Sequence, residues 1–406
     1  MLYNAYEMQR SLLAGVSTLA NIGAEWMQNP ANPFSYTGMG PIVASALDVF
    51  AHASAPRGKP EFGLDSTIVE GREVPVVEEV VLHKPFGSLK HFRRDGIEGS
   101  PRLLIVAPMS GHYATLLRGT VERMLPGHDV FITDWADAKL VPLSAGGFDL
   151  DDYIDYVIEF IEHVGPGAHV LAVCQPSVPC FAAAALMSED GNPARPRTLT
   201  MMGGPIDTRE APTAVNTVAT QRPHTWFERN VIASVPYGYP GAGRAVYPGF
   251  VQLAGFITMN LGSHLTSHWE WFKHLVAGDG DSADSHRHFY DEYRSVCDMT
   301  AEFYLQTVDV VFQRHLLPEG RLTHRGRRVD PAAITDIALL AIEGERDDIS
   351  GVGQTRAALT ISTGLAKSKK RYFFAKGVGH YGIFNGSKWR NLIAPVVEKW
   401  IADHDA

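Results

Sequence analysis

From about residue 76 onward, short apolar segments of strand length alternate with segments of helical length. Three of the apolar segments, Arg102–Ala107, His169–Val173 and Thr198–Met202, are almost continuous, which is typical of strands buried on both faces of a parallel sheet. Alternating strands and helices are joined by crossover connections, and these are right-handed. The sequence therefore predicts a fold of the α/β class with a doubly wound sheet.

The alternation has clear limits along the chain. Strands are predicted at 76–83, 88–94, 102–107, 129–133, 169–173, 198–202, 336–342 and 371–375. Helices are predicted at 113–125, 150–163, 175–187, 353–363 and 387–402. Between about residues 205 and 329 the alternation lapses, so we expect residues 76–204 and 330–406 to form the core and residues 205–329 to form an inserted helical cap or lid. The aromatic side chains of this insertion form either a binding wall or its own core: Trp226, Phe227, Trp269, Trp271 and Phe272.

Residues 1–75 precede the first predicted sheet strand and have a different texture. Apolar residues recur at helical spacing between Asn4 and Met27, and a second short helix is predicted at 42–52 within a stretch rich in Pro, Gly and Ser. We expect an N-terminal helical extension without chemistry of its own. Its apolar stripe must pack on the rest of the chain or associate with a partner, such as a second copy in a homodimer.

Charge and composition exclude several functional classes. The net charge of -9 disfavours nucleic acids and anionic membranes as partners, and no apolar segment is long enough to span a bilayer. The N-terminus lacks the basic segment and apolar core of a signal peptide. The three cysteines are too few for a disulfide framework, so we expect a soluble protein of a reducing, cytoplasmic compartment, in which a functional cysteine acts as a nucleophile.

Three residues with catalytic side chains follow the ends of three predicted strands. They are Cys174, Asp347 and His380, and their order along the chain, nucleophile, acid and then histidine, resembles that of the α/β-hydrolases. A nucleophile elbow needs compact residues on both sides of the nucleophile. Ala172 and Pro176 stand there instead of the usual glycines. The sequence thus predicts an α/β-hydrolase sheet with a thiol at the elbow, and the alternative for Cys174 is an inert, buried cysteine.

A thiol suits this position chemically. The positive end of the following helix favours a thiolate, and a histidine can take its proton. The backbone N–H of Gln175 is then one donor of the oxyanion hole, and we expect the second from Met109 in the loop after the third strand, with Ser110 as the alternative.

Two assignments leave alternatives open. Asp347 is preferred over Asp348 as the acid because it keeps a Gly-x-x-Asp spacing after its strand. His264 and His268 are spaced to ligate a metal from one helix face, but they lack both a His-Glu-x-x-His pattern and a third ligand. No phosphate-binding loop is present. We therefore expect neither a metal nor a cofactor.

Four segments together are similar to a known family, the intracellular poly(3-hydroxybutyrate) depolymerases, which are relatives of the polyhydroxyalkanoate synthases. These segments are His-Asp-Val-Phe-Ile-Thr-Asp-Trp at 128–135, Val-Cys-Gln-Pro-Ser at 173–177, Gly-Glu-Arg-Asp-Asp-Ile at 344–349 and Gly-Val-Gly-His-Tyr-Gly-Ile-Phe at 377–384. The resemblance implies Cys174 as nucleophile, Asp347 as orienting acid and His380 as base. It also implies amorphous storage polyester on cytoplasmic granules as the substrate.

Other functions remain open from the sequence. A polyhydroxyalkanoate synthase would carry Gly-x-Cys-x-Gly and a longer N-terminal domain, and this chain has neither. Coenzyme A in place of water would make the enzyme a thiolytic depolymerase. A non-catalytic granule-coating protein is the alternative from another class.

Overall fold

The computed structural model describes residues 2–29, 31–37, 39–55, 58–259, 292 and 294–405. These residues form a nine-stranded sheet in the order β1-β2-β3-β5-β4-β6-β7-β13-β14. The first three strands pair antiparallel, and the six from β5 to β14 run parallel. The strands are β1 (Ser66–Val69), β2 (Arg72–Lys84), β3 (Gly87–Arg94), β4 (Arg102–Val106), β5 (Asp129–Trp135), β6 (His169–Val173), β7 (Thr198–Met202), β13 (Ala338–Gly344) and β14 (Lys370–Ala375). An antiparallel opening followed by parallel strands in which β4 and β5 exchange places is the order of the α/β-hydrolase fold.

The helices of the core follow the strands of the parallel part. They are α3 (Arg118–Met124), α4 (Leu150–Val164), α5 (Ser177–Glu189), α10 (Ala357–Ile361) and α11 (Ala394–Ala402). A capping box opens α4, in which the side chains of Asp149 and Asp152 each accept a hydrogen bond from the other's backbone N–H at 2.9 Å. One face of α4 is buried, whereas α5 is buried from Ser177 to Met187. The helix after the nucleophile is therefore enclosed by protein along most of its length.

Most predicted strands and helices of the core lie where the structure has them, but several bounds differ. β1 is absent from the prediction and β2 begins at Arg72, so the sheet starts within residues 1–75, which were expected to be a helical extension. β1 is a four-residue edge strand with exposed and half-buried side chains, and such a strand has no apolar run to mark it.

The strand predicted at 129–133 extends to Trp135, and the segment predicted as one helix at 113–125 is a 3-10 turn at Ala114–Leu117 followed by α3. The helix predicted at 353–363 is reduced to α10. The last predicted helix contains a wider π turn, Trp389–Ile393, before α11. Proline lacks the N–H that continues a helical ladder, and Pro395 stands in the first turn of α11.

The N-terminal segment forms a helical hairpin of α1 (Leu2–Gln28) and α2 (Gly40–Ser54). Tyr3 joins it to the core, because its hydroxyl donates to Asp298 Oδ2 at 2.5 Å and its ring meets Phe250 edge-on. The large apolar side chains on the outer face of α1 are exposed, and they are Met8, Leu12, Val16, Leu19, Ile22 and Trp26. None of the described helices combines the length and apolar character needed to cross a bilayer.

Where the structure describes the segment in which the alternation lapses, four α-helices are joined by short strands and long loops. The helices are α6 (Ala214–Gln221), α7 (His224–Asn230), α8 (Gly249–Met259) and α9 (Ala301–Thr307). A small sheet joins β8 (Ala233–Ser234), β9 (Ala245–Tyr247) and β10 (Met299–Thr300), and β11 (Thr323–His324) pairs with β12 (Arg327–Arg328). Opening of this segment as a lid stays a prediction.

Candidate active site

Cys174 stands in a sharp turn between β6 and α5. Its φ of +66° lies in the left-handed region, which costs a non-glycine residue about 1–3 kcal/mol and is found where the surrounding structure enforces it. Two hydrogen bonds brace the turn: Cys174 N–H donates to Met202 O at 2.7 Å, and Ser177 N–H donates to Cys174 O at 3.0 Å. This conformation and position match a nucleophile elbow.

The glycines that permit this turn come from the neighbouring strand, not from the flanks of the cysteine. Gly203 and Gly204 follow β7 directly. A Cβ on Gly204 would lie 2.0 Å from Ser177 Oγ and 3.1 Å from Cys174 O. The loop after β7 therefore approaches the turn more closely than any side chain allows. A pair of glycines after the next strand is the sequence signal that could have indicated this contact.

His380 and Asp347 form a buried pair next to this turn. His380 Nδ1 lies 2.8 Å from Asp347 Oδ2, and the two residues are 5% and 9% exposed. Asp347 Oδ1 accepts hydrogen bonds from the N–H groups of Ile349 and Ser350 at 2.9 and 2.8 Å. Because Asp347 is held on both oxygens, it fixes the histidine ring in one orientation. This geometry favours Asp347 over Asp348 as the acid.

The electrostatics of His380 link it to both neighbours. Burial acts to lower its pKa, but the charges of Asp347 and Cys174 and hydrogen bonds to both raise it, and the net pKa lies well above its usual range. Gly203 has a φ of +60°, and a Cβ there would lie 3.2 Å from Asp347 Oδ2 and from His380 Cε1. The three sequence-predicted residues thus meet, and they can exchange a proton between thiol and imidazole.

The expected oxyanion donors lie beside the same turn. Met109 N–H donates to the side-chain Oε1 of Gln175 at 3.2 Å, which places the loop after β4 against the residue that follows Cys174. Met109, Ser110 and Gln175 all line the cavity that contains Cys174. Their role as oxyanion donors remains a proposal.

An apolar cavity of about 590 Å³ opens over Cys174 and His380. Residues from 205–259 and 294–329 provide much of its wall, including Val215, Phe227, Tyr247, Phe303, Tyr304 and Phe312. Of the aromatic residues singled out in the insertion, Phe227 lines the cavity, whereas Trp226 packs edge-on against Phe227. Trp269, Trp271 and Phe272 lie outside the described residues.

Two tyrosines of the cavity wall carry no signal in the sequence that marks them as a pair. The rings of Tyr247 and Tyr304 stack with centroids 4.0 Å apart, and burial raises the pKa of Tyr247 to about 12. They belong to β9 and α9, which are separated by more than fifty residues. No local pattern could have paired them.

The remaining cysteines do not compete for the nucleophile's role. Cys180 and Cys297 are each 1% exposed, and burial raises the pKa of both thiols. Within the described ranges, no group of three or more His, Cys, Asp or Glu side chains is placed to hold a metal ion. His264 and His268 lie outside those ranges.

Comparison with solved structures returns hydrolases of low sequence identity. A monoacylglycerol lipase from Paleococcus ferrophilus is 11% identical, with 75% of this chain and 96% of that chain covered and a TM-score of 0.44. A 2-hydroxy-6-oxo-6-phenylhexa-2,4-dienoate hydrolase from Rhodococcus sp. strain RHA1 is 12% identical over 81% and 99%, with a TM-score of 0.43. A thermophilic esterase from Thermogutta terrifontis is 12% identical over 84% and 98%, with a TM-score of 0.40. The strand order itself identifies the fold.

Comparison with sequence families gives a direct assignment. No curated protein sequence matches the chain. The family described as "PHB de-polymerase C-terminus" matches residues 203–405, which is half of the chain and includes Asp347 and His380. The chain therefore belongs to the PHB depolymerase family.

Proposed function

We propose that this ester hydrolase cleaves poly(3-hydroxybutyrate) through a triad of Cys174, His380 and Asp347. The observation that carries the proposal is the meeting of a left-handed cysteine turn with a histidine whose Nδ1 lies 2.8 Å from a buried carboxylate. Nδ1 is committed to Asp347, so Nε2 is the nitrogen left to serve the thiol. Family membership supports the polyester as substrate.

The reaction proceeds in two halves. The Cys174 thiolate attacks the ester carbonyl, and the resulting oxyanion accepts hydrogen bonds from the N–H groups of Gln175 and Met109. As the intermediate collapses, His380 gives its proton to the departing hydroxyl end of the polymer, which leaves a hydroxyacyl thioester on Cys174. His380 then takes a proton from water, which attacks the thioester and releases 3-hydroxybutyrate or a short oligomer together with the thiolate.

The cavity wall is compatible with such a substrate. A polyester chain offers ester carbonyls and apolar methyl and methylene groups, and its only hydrogen-bond donor is the terminal hydroxyl. The aromatic and aliphatic side chains around Cys174 match that composition. A neutral polymer is also neither attracted nor repelled by the protein's net charge of -9.

Product analysis tests the proposal most directly. Purified protein is mixed with amorphous poly(3-hydroxybutyrate) granules, with and without coenzyme A, and Cys174→Ala serves as the inactive control. Hydrolysis gives 3-hydroxybutyrate or oligomers without coenzyme A, whereas products that form only with it, as coenzyme A thioesters, indicate thiolysis. In a further reaction with 3-hydroxybutyryl-CoA, polymer growth indicates a synthase. If no reaction yields a product, the remaining alternative is a non-catalytic granule-coating protein.

The α1–α2 hairpin supports an association role. Its large apolar side chains face outward while small ones pack inward, so the free chain leaves an apolar face uncovered. We propose that this face contributes to a homodimer and that the enzyme acts on cytoplasmic polyester granules.

A further inference from the structure

The turn after β6 presents two adjacent side chains to the cavity. From Ala168 to Met187 every residue is buried except Cys174 and Gln175, which are half-buried and line the cavity together. The nucleophile and the residue after it therefore share one opening, and a substrate that reaches the thiol also meets the Gln175 side chain.

The Gln175 amide already occupies one of the donors assigned to the substrate. Its Oε1 accepts a hydrogen bond from Met109 N–H at 3.2 Å. An amide oxygen resembles an ester carbonyl oxygen in size and in the direction of its lone pairs. Because one N–H cannot fully serve two acceptors, an ester carbonyl and the Gln175 amide compete for Met109.

The surroundings explain why such an occupant is useful. Met109 is 4% exposed and stands at the edge of an apolar cavity, where an unpartnered N–H is costly. The side chain of Gln175 satisfies that donor from within the chain. An acyl group that enters the cavity can then replace the amide, whose side chain borders open space into which it can turn.

We propose that Gln175 is a self-occupying gate of the oxyanion hole: its side-chain amide holds Met109 N–H in the free enzyme and the substrate carbonyl displaces it. This inference rests on the proposed function, since it takes Cys174 as the nucleophile. The gate lowers acylation by small esters, which gain little binding energy elsewhere in the cavity to offset the lost hydrogen bond.

Two reactions of the same thiol separate the gate from the nucleophile. Acylation by p-nitrophenyl acetate forms the Cys174 acetyl thioester through an oxyanion and expels p-nitrophenolate, and the thiol proton goes to His380. Methyl methanethiosulfonate transfers its methylthio group to the thiolate, forming a disulfide and expelling methanesulfinate, without any carbonyl oxyanion. A variant that changes the ratio of the two rates while its thiolation rate stays at the wild-type value therefore acts on the carbonyl step, not on the thiolate or on access to it.

Gln175→Ala removes the amide and leaves the backbone N–H of residue 175. We expect its acylation-to-thiolation ratio to rise about 2- to 10-fold, which is the factor that loss of one competing hydrogen bond implies. Gln175→Glu keeps the shape but puts a negative charge where the oxyanion forms, so the ratio should fall by about 10-fold or more. Thermal unfolding of each variant establishes that it is folded.

Opposite results identify which idea fails. A Gln175→Ala ratio that is unchanged or lower, with wild-type thiolation, overturns the gate and leaves the nucleophile intact. If the wild-type protein forms no acyl group on Cys174 and its thiolation is no faster than that of a free cysteine, the proposed function itself is wrong. Should Gln175→Ala not fold, a Gln175→Glu ratio equal to that of the wild type overturns the gate.

Discussion

The carboxyl edge of the sheet buries polar side chains, whereas the N-terminal hairpin buries small apolar side chains and exposes large ones. At the edge, polar groups are inside and partnered, as with Asp347, which accepts three hydrogen bonds. In α1, Leu12 and Leu19 are 67% and 69% exposed, whereas Ala20 and Ala24 are 8% and 4% exposed. Small residues let two helices approach closely, so α1 packs through the face that carries its alanines. The face that carries its large apolar side chains points away from this contact. The edge pairs its buried polar groups within one chain, whereas the hairpin leaves its large apolar side chains exposed.

The largest expected effect belongs to the edge. Cys174→Ala removes the sulfur and should lower turnover of a soluble ester by about 10³-fold or more, because no other group can form the acyl-enzyme. Cys180→Ala and Cys297→Ala are matched controls, since both thiols are buried away from solvent, and each should keep most activity. Steady-state kinetics on the three variants checks this, and a Cys174→Ala enzyme with more than a few per cent of wild-type turnover contradicts the assignment.

Loss of the carboxylate that contacts His380 should lower activity nearly as much as loss of the thiol. We expect this effect at Asp347 and not at the adjacent Asp348. Asp347→Asn leaves the shape of the pair but removes the charge that orients His380, so kcat/KM should fall by about 10²-fold or more. Asp348→Asn changes the same functional group one residue away and should have little effect. Equal losses from the two variants would show that the pair acts through loop structure and not through His380.

The same pair makes stability depend on pH with a defined sign. The pKa of folded His380 is raised above its unfolded value of about 6.5, so its contribution to stability is fully present below that pH. The contribution is lost as the pH rises through the folded-state pKa. Urea denaturation from about pH 5.5 to about pH 9 should therefore show the stability difference between wild type and Asp347→Asn shrinking as pH rises. A difference that grows with pH would contradict the raised pKa.

One substitution applied to both regions should change stability in opposite directions. Gly204→Ala places a Cβ 2.0 Å from Ser177 Oγ and should destabilise the fold by about 1–3 kcal/mol while disturbing the Cys174 turn. Gly15→Ala, in α1, meets no atom within 4 Å and should stabilise the helix by about 0.5–1 kcal/mol. Free energies of unfolding, measured for both variants and the wild type, test this prediction. A Gly204→Ala protein of wild-type stability would mean that the loop after β7 can move to accommodate the added Cβ.

The smallest effect on the folded chain is expected on the outer face of the hairpin. Leu12→Lys combined with Leu19→Lys should change the free energy of unfolding by about 0.5 kcal/mol or less, because both side chains are exposed. Activity on a soluble ester should be unchanged. Light scattering should nevertheless show a lower mass than the wild type if this face joins two copies, and equal masses would remove the homodimer contact.

Prediction from sequence succeeded where one local rule dominates. β4, β6 and β7 are recognisable because strands buried on both faces must be apolar throughout. Cys174 follows β6 directly, and its role as nucleophile stays a prediction. Helix ends were less predictable. Pro395 stands in the first turn of α11, and just before α10 the side chain of Glu343 in β13 accepts hydrogen bonds from the N–H groups of Gly353 and Arg356.

The site shows the same division. Cys174, Asp347 and His380 were predicted from their order and their strand ends, and that they lie together fits the prediction without testing their roles. The Gly203–Gly204 approach, the stacked Tyr247 and Tyr304 and the contact of Gln175 with Met109 could not be predicted, because each joins segments that are distant along the chain or depends on where a side chain turns.

By itself, the sequence determined the class of fold, the parallel strands of the sheet and the three residues expected to carry the chemistry. Those features follow from periodicity and from the rule that parallel strands end at one edge. Only the tertiary structure decided what surrounds those residues: the walls of the cavity, the hydrogen-bond partner of Met109 N–H and the exposed face of α1. The physical reason is that burial and hydrogen-bond pairing are properties of neighbours in space, and most of those neighbours lie far away along the chain.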